Sequence, residues 1–586
     1  MTVCDSFLGI LLFIKFIFAN QKQDLLMKLF LIILFSFMAL GAQDLFSQVE
    51  NVQIEHGVYT FLKEMKVKGI ISFIREDDPV LSRFEVKDLL NQISNHISEL
   101  SNTEKKILQK YQIEFSDSID PDTATQLFNP QNGFFTDLDE MITDKVKYLY
   151  AYQEPENNIY FEWLGHFYHA QDFSQESADN ANLYDIGFRI RGTVFNHLGY
   201  NLTVIKGGVS GDKALAEVIE PRLLTSFKWL EDSENIGNYD FTYGYLKYHT
   251  EPYEDMDISV QLGREDITLG YGYGSKLILS GDNPTMDFLK FNFDYGIISF
   301  TSLHASTTGY FSYTPEERYT KYYAHNHLKL KFNNLFDIGI GETVIYSGRG
   351  IELGYLAPVT FYKFIEMGIQ DRDNGNIYFD LQTKFVKNLE LQATFLLDEN
   401  ILSNLGDLEK YTNKTAYQLG AFWYNPVNIA DLSLIVEYTK IRPYVYTHFN
   451  IQNNYTAFGA NLGHRIGPNA DELMLRSNYN INEWLRFTFE YRYQREGNNI
   501  YAEDGTLEKN VGGDIALTHG YVMETDRAYF LDGERVNTNF FSAGFRIEPI
   551  RDFIFDLSYN FSDRLNTTTN TLEKQSYALL KFTLEY

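Results

Sequence analysis

The sequence predicts an all-β transmembrane barrel of roughly 18 antiparallel strands, preceded by a small periplasmic α-helical bundle. Three observations predict it: the pattern of the last strand, a persistent period of two from Lys145 onward, and amphipathic helical stripes within residues 54–111. The chain ends SYALLKFTLEY, Ser576 to Tyr586. In an extended strand Ala578, Leu580, Phe582, Leu584 and Tyr586 share one face, and Tyr577, Leu579, Lys581, Thr583 and Glu585 the other. Lipid wets one face of a barrel strand, the lumen wets the other, and the last strand must close the ring. Phe582, Leu584 and Tyr586 are therefore read as the barrel-closing positions. A terminal aromatic also resembles the signal by which bacterial outer-membrane proteins are recognised for insertion, which makes the barrel assembly machinery an expected partner.

The alternation recurs upstream. Val146, Tyr148, Tyr150 and Tyr152 oppose Lys145, Lys147 and Gln153, and Leu432, Leu434, Val436 and Tyr438 oppose Asp431, Ser433 and Glu437. In Trp484–Gln494, Leu485, Phe487, Phe489, Tyr491 and Tyr493 face away from Arg486, Thr488, Glu490, Arg492 and Gln494. Phe553, Phe555, Leu557, Tyr559 and Phe561 repeat this against Asp556, Ser558 and Asn560. A face carrying two arginines and a glutamate suits a polar lumen and not a sandwich core. With the last strand running to the periplasm, loop 563–575 and segment 496–537 are extracellular, and turns 549–552 and 482–483 are periplasmic. The same count makes 441–454 a long periplasmic connection.

Composition sets outer bounds. Charged residues are 22% and hydrophobic residues 44% of 586, so the chain is not disordered. Aromatics reach 16%, with 42 Tyr and 47 Phe, which suits interfacial girdles and sugar-binding surfaces. Beyond the N-terminus no apolar run reaches about 18 residues, which excludes a helical membrane protein but not a barrel. The net charge of −29 repels phosphate backbones and excludes nucleic acid as a partner.

At the N-terminus, Met27-Lys28, the apolar run Leu29–Leu40 and Gly41-Ala42 read as a signal peptide cleaved after Ala42, with residues 1–26 an upstream extension. The only cysteine, Cys4, would be lost with it. Residues 43–115 form the helical segment. Ile54, Val58, Phe61, Leu62 and Met65 make one stripe. Ser82 and Glu85 make a capping box before Val86, Leu89, Leu90, Ile93 and Ile97, and Ser101 and Glu104 another before Ile107, Leu108 and Tyr111. Three such helices are too small to hold a core alone and must pack on something else. Residues 116–144 read as a linker and 145–586 as the barrel.

This architecture resembles the Wzi-type capsule-assembly proteins of the outer membrane. The resemblance runs through HGVYTFLKEMKVKGII (56–71), PVLSRFEVKDLL (79–90), LGREDITLGYGYGSKLILSGDNP (262–284), YYAHNHLKLKF (322–332), GIGETVIYSGRGIELGYLAPVTFY (339–362) and DRDN (371–374). It implies a barrel narrowed at its periplasmic end by helices and a lectin-like role in attaching exported capsular polysaccharide to the surface of a Gram-negative-type cell. Outer-membrane lipid and lipopolysaccharide are the expected surroundings. No sugar-contact residue of the family maps cleanly onto this chain.

Motifs for catalysis are missing from the sequence: there is no G-x-S-x-G elbow and no P-loop. Gly270–Gly274 precedes another strand and reads as a tight inward loop, not a nucleotide site. Asp371, Asp373 and Asn374 suggest a calcium loop, but Gly375 and Gln382 depart from the EF-hand pattern. His325 and His327 share a strand face and could be two metal ligands without an evident third. No cofactor, metal or catalytic residue is assigned. Candidate glycan or lumen contacts are Arg264, Glu265, Tyr271, Tyr273, Tyr346, Arg349, Glu352, Tyr355, Asp371, Arg372 and Asp373, with Glu366 beside them. Carboxylates and arginines hydrogen-bond sugars, and Tyr rings stack on them. The bland alternative is charge pairing that holds loops in place. Tyr501, Tyr521 and Tyr529 in loop 496–537 are equal candidates. The functional reading is a non-enzymatic anchor for exported polysaccharide. A porin for small solutes and an outer-membrane enzyme are the alternatives.

Overall fold

The computed structural model describes residues 48–129, 133–134, 138–174, 179–231, 237–310, 312, 314–332, 335–398, 406–519 and 526–586. The signal peptide, Cys4 and Tyr521 lie outside them.

Eighteen antiparallel strands form a closed barrel, from Asn158–Asp172 to Thr571–Glu585. The last strand pairs with the first in the register Tyr577 opposite Asp172 through Glu585 opposite Leu164, which closes the ring. Below that seam the short strand Tyr150–Gln153 pairs with Asn158–Phe161 and continues the edge. Phe582 and Leu584 stand on the outward face. Tyr586 leaves it: it lies past the strand, is 7% exposed, and its hydroxyl donates to the Met141 carbonyl at 2.6 Å. Leu557, Tyr559, Phe541, Phe545 and Phe489, all outward-facing, are exposed, as a lipid-facing band requires.

The two ends of the barrel differ in loop length, and one of them carries tight turns such as the hairpin at Asp552. Residues 254–255, 296–297, 483–484 and 551–552 connect strands at the short-turn end. Residues 212–236, 266–285, 348–373, 442–469 and 499–533 connect them at the other. Segment 442–469 corrects the sequence reading: Leu432–Ile441 pairs directly with Ala470–Asn482, so the connection between them belongs with the long loops.

Among the described residues three α-helices precede the barrel: α1 (Val58–Lys68), α2 (Arg83–Ser94) and α3 (Asn102–Glu114). Gly69 ends α1 at φ 86°, a left-handed conformation that favours glycine, and its N–H donates to Lys66 O. Both capping boxes form, Ser82 with Glu85 and Ser101 with Glu104. Val58, Phe61, Leu62, Met65, Val86, Leu90, Ile93, Ile107 and Leu108 make a common core with Phe422, Tyr424, Ile435 and Met474 of the barrel's inner wall. Ile54 and Ile97, assigned to the stripes, are exposed instead.

Candidate functional site: the filled lumen and the loops

The helical segment occupies the lumen at the short-turn end. The Asn388 N–H donates to Val67 O at 3.0 Å, Ser101 Oγ to Asp431 Oδ1 at 2.7 Å, and Arg551 Nη1 to Lys110 O at 2.9 Å. What ties this plug higher in the barrel is a run the sequence reading passed over, Arg75-Glu76-Asp77-Asp78, between α1 and α2. Together its members reach four strands of the wall, Met286–Tyr295, Thr320–Phe332, Asn374–Thr383 and Leu389–Asp398. Arg75 pairs with Asp294 at 3.3 Å, and Asp78 takes Lys290 at 3.0 Å and Asn292 at 2.9 Å. Asp77 accepts from Lys329 and lies 3.0 Å from His327 Nδ1, whose Nε2 lies 3.0 Å from Asp380. Glu76 joins Lys63 and Lys66 of α1 to Gln382 and Gln392 of the wall. Burial alone would raise these carboxyls. Lys329 and His327 instead hold Asp77 well below its usual value, and Lys63 and Lys66 hold Glu76 down at about 2.

Glu64 on α1 is the opposite case. It is 1% exposed, accepts one hydrogen bond from Asn480 at 3.0 Å, and has Arg486 only at 3.8 Å. Burial, only partly countered by Arg486, pushes it up to about 7. The folded state therefore holds a proton that the unfolded chain has lost, between its ordinary value of 4.5 and about 7. Stability from this group falls as pH rises through that window. Glu64→Gln should raise the thermal midpoint at pH 8 and change it little at pH 4; an equal shift at both would contradict the assignment.

Two long loops fill the lumen from the other end. Loop 266–285 descends until the Gly270 N–H donates to Asp77 O at 2.8 Å and Lys276 Nζ to Glu76 O at 3.1 Å. Gly270 and Gly272 have φ of 92° and 146°, which accounts for glycine at both. Tyr273 and Gly274 donate successive N–H groups to Glu437 at 2.7 and 3.0 Å, and the Tyr273 hydroxyl reaches Glu390 at 2.9 Å. Loop 442–469 folds in above it: the Tyr446 and Tyr455 hydroxyls donate to Leu277 O and Ile278 O at 2.8 and 2.7 Å. A cavity of about 570 Å³ remains beside the plug, lined by His166, Arg189, Arg222, Arg486, Arg546 and Lys581 among others.

The sequence candidates fall into separate places. Tyr271 is 2% exposed within the inward loop, and Tyr273 is bound as above. Glu265 accepts from Gln261 at 2.7 Å, and Arg264 is exposed and paired with Asp287 at 3.0 Å. Tyr346, Arg349, Glu352, Tyr355 and Asp373 come together, but on the outer side of the wall. Arg349 and the Tyr355 hydroxyl both bind Asp373 at 2.8 Å, and Tyr346 accepts the Glu352 N–H at 3.0 Å. Asp371 and Arg372 are exposed beside them, Asp371 paired with Lys363 at 3.1 Å. Asp373 is committed to Arg349 while Asn374 turns inward to Asn453 O at 2.9 Å, which splits the suggested calcium loop. His325 is hydrogen-bonded to Tyr378 at 2.7 Å, and His327 sits between Asp77 and Asp380. His249, Glu251 and Asp257 offer ligand atoms within 4.8 Å of one another, a trio the sequence reading did not single out. Tyr501 and Tyr529 are half exposed on the long loop 499–533.

The profile of the family described as capsule assembly protein Wzi matches residues 154–548. The chain belongs to the Wzi family. An outer-membrane location accords with that membership and with the closed barrel. Among solved structures, Wzi of Escherichia coli, described as an outer-membrane protein involved in group 1 capsule assembly and a carbohydrate-binding β-barrel, is 12% identical with a TM-score of 0.52. The match covers 91% of this chain and 98% of that one. Pseudomonas aeruginosa OprD is 10% identical over 73% of this chain and 95% of that one, at a TM-score of 0.39. None of the curated proteins matches.

Proposed function

We propose that this protein holds exported capsular polysaccharide at the cell surface without cleaving it. The observation that carries the reading is a family barrel whose lumen is occupied: helices locked by buried ion pairs from one end, two folded-in loops from the other. A diffusion channel has no use for such a filling. Under this reading the short-turn end and its helices face the periplasm after signal-peptide cleavage, the barrel assembly machinery inserts the chain, and lipopolysaccharide surrounds it. The long loops then present half-exposed Tyr501 and Tyr529 to the polymer. Single contacts of this kind are weak, and many barrels acting on one long chain supply retention through avidity. No paired carboxylates at glycosidase spacing are needed for that role.

The test is a deletion strain. Polysaccharide should appear in the medium at the expense of the surface layer, with total synthesis unchanged. Unchanged surface retention together with reduced uptake of a small solute would replace this reading with a channel.

A further inference from the structure

Strands Ile298–Thr308, Thr320–Phe332 and Phe336–Ser347 are covered on both faces in their upper halves. Inward positions Lys321, Tyr323 and Ser347 meet loop 442–469, through Lys321 to Asn454 O at 2.6 Å, Tyr455 to Tyr323 at 3.3 Å, and Ser347 to Asn453 at 2.6 Å. The alternate positions point away from the lumen and would face lipid. They carry polar groups: Ser302, His304, Asn326, Glu342 and Tyr346. Loop 348–373 folds back over them on the outside. Glu342 accepts the Tyr362 N–H at 2.8 Å, Asn326 donates to Thr360 O at 3.2 Å and accepts from the Tyr362 hydroxyl at 3.0 Å, and His304 lies 2.7 Å from the Tyr346 hydroxyl. Tyr355 and Tyr362 of the loop pack on Tyr322, Ala324, Val344 and Tyr346 of the wall. Gly375 leaves room for Glu366 against the wall, since a Cβ there would meet Glu366 Oε2 at 2.7 Å.

The other side of this loop is apolar and open. Val359 is 90% exposed, Phe364 74%, Met367 62% and Phe361 60%, with Ile351 and Leu353 beside them. Directly below on the same wall, outward Leu328, Ile338, Phe379 and Leu381 form the exposed lipid-facing band. We propose that loop 348–373 is a membrane-embedded outer lid: helices Leu353–Leu356 and Tyr362–Gly368 lie in the outer leaflet, and Val359, Phe361, Phe364 and Met367 take up acyl chains. The occupant is argued from continuity with the barrel's own lipid band and from chemistry. Irregular backbone survives at membrane depth only where protein satisfies its polar groups, and here the wall's buried Asn326 and Glu342 do so. The lid replaces a polar stretch of wall with an apolar surface.

The experiment uses spin labels on the full chain in a Cys4→Ser background, reconstituted in phosphatidylethanolamine–phosphatidylglycerol vesicles. Labels at Val359→Cys and Phe364→Cys should collide with oxygen rather than with a water-soluble nickel chelate. Their oxygen-to-nickel ratio should resemble that of Ile338→Cys and be several-fold above that of Asp371→Cys. A ratio like Asp371's would put the loop in water and overturn the proposal. Shielding from both quenchers would overturn it too, since a protein surface would then cover the lid.

Discussion

Asp77→Ala should loosen the plug by about 3–5 kcal/mol, because removing one partner of a buried pair strands the charges that remain. Lys329 is 1% exposed and His327 3%, and neither can reach water when the carboxylate is gone. Adding Lys329→Met should restore part of the loss by removing one stranded charge. The readouts are protease resistance of residues 48–117 and ionic current in planar bilayers. The wild type should be protected and nearly silent, Asp77→Ala cleavable and leaky. Unaltered protection and current would show that the buried run does not hold the plug. The same lock sets an acid limit. Glu76 and Asp77 have folded values below the unfolded ones, so their stabilisation is complete above about pH 4.5. It is lost as pH falls toward about 2, where Glu76 titrates in the folded state. Plug release should therefore appear in that interval, below the window in which Glu64 acts with the opposite sign.

The barrel was legible because lipid and lumen impose a period of two over strands such as Leu485–Asn498. Legibility failed where the lumen is dry. In Ala470–Asn482, Met474 sits on the lumen face because it packs on the plug, and Ser477 sits on the outer face. The alternation of that strand is interrupted at these two positions, and the sequence reading placed 441–454 at the wrong end. In loop 442–469 Tyr446 and Tyr455 are buried, although the loop's paired strand segments, Thr456–Ala457 and Ala460–Asn461, are only two residues each and lie outside the barrel sheet. Arg75–Asp78 was opaque for another reason. A run of four charges reads as a solvated turn, and its partners Lys290, His327 and Lys329 lie far along the chain. The clue was on the partners' side: Lys290 on one strand and His327 and Lys329 on another stand at inward positions and need a buried counter-charge. Among the candidate residues, Arg349, Glu352, Tyr355 and Asp373 stand in one set with Arg264, Glu265, Tyr271 and Tyr273, because all lie in the stretches that carry the family resemblance. The sequence could not tell that Tyr346, on the outward parity of its strand, draws the first four outside the lumen.

The closing strand yields the other large effect. Phe582→Asp with Leu584→Asp should block barrel assembly. Both residues stand on the outward face, opposite Phe555 and Phe553 of the neighbouring strand, and Phe582 packs on these rings at 4.8 and 6.3 Å. A charge on the lipid face costs about 2–4 kcal/mol at mid-membrane and less toward the interface. Two on one strand approach the whole net stability of an ordinary domain, about 5–15 kcal/mol. They also fall on the seam with Gly165 and Phe167 of the first strand, where a fault opens the ring and exposes strand edges to lipid. Lys581 and Thr583, facing inward on the same strand, supply the control. Thr583→Asp puts the same charge beside the lumen cavity that already holds Lys581 and Glu585, and should assemble at nearly normal level. Heat-modifiable migration and outer-membrane abundance report the outcome. Equal loss for Thr583→Asp and the outward pair, or normal assembly of both, would show that the faces of this strand have been assigned wrongly.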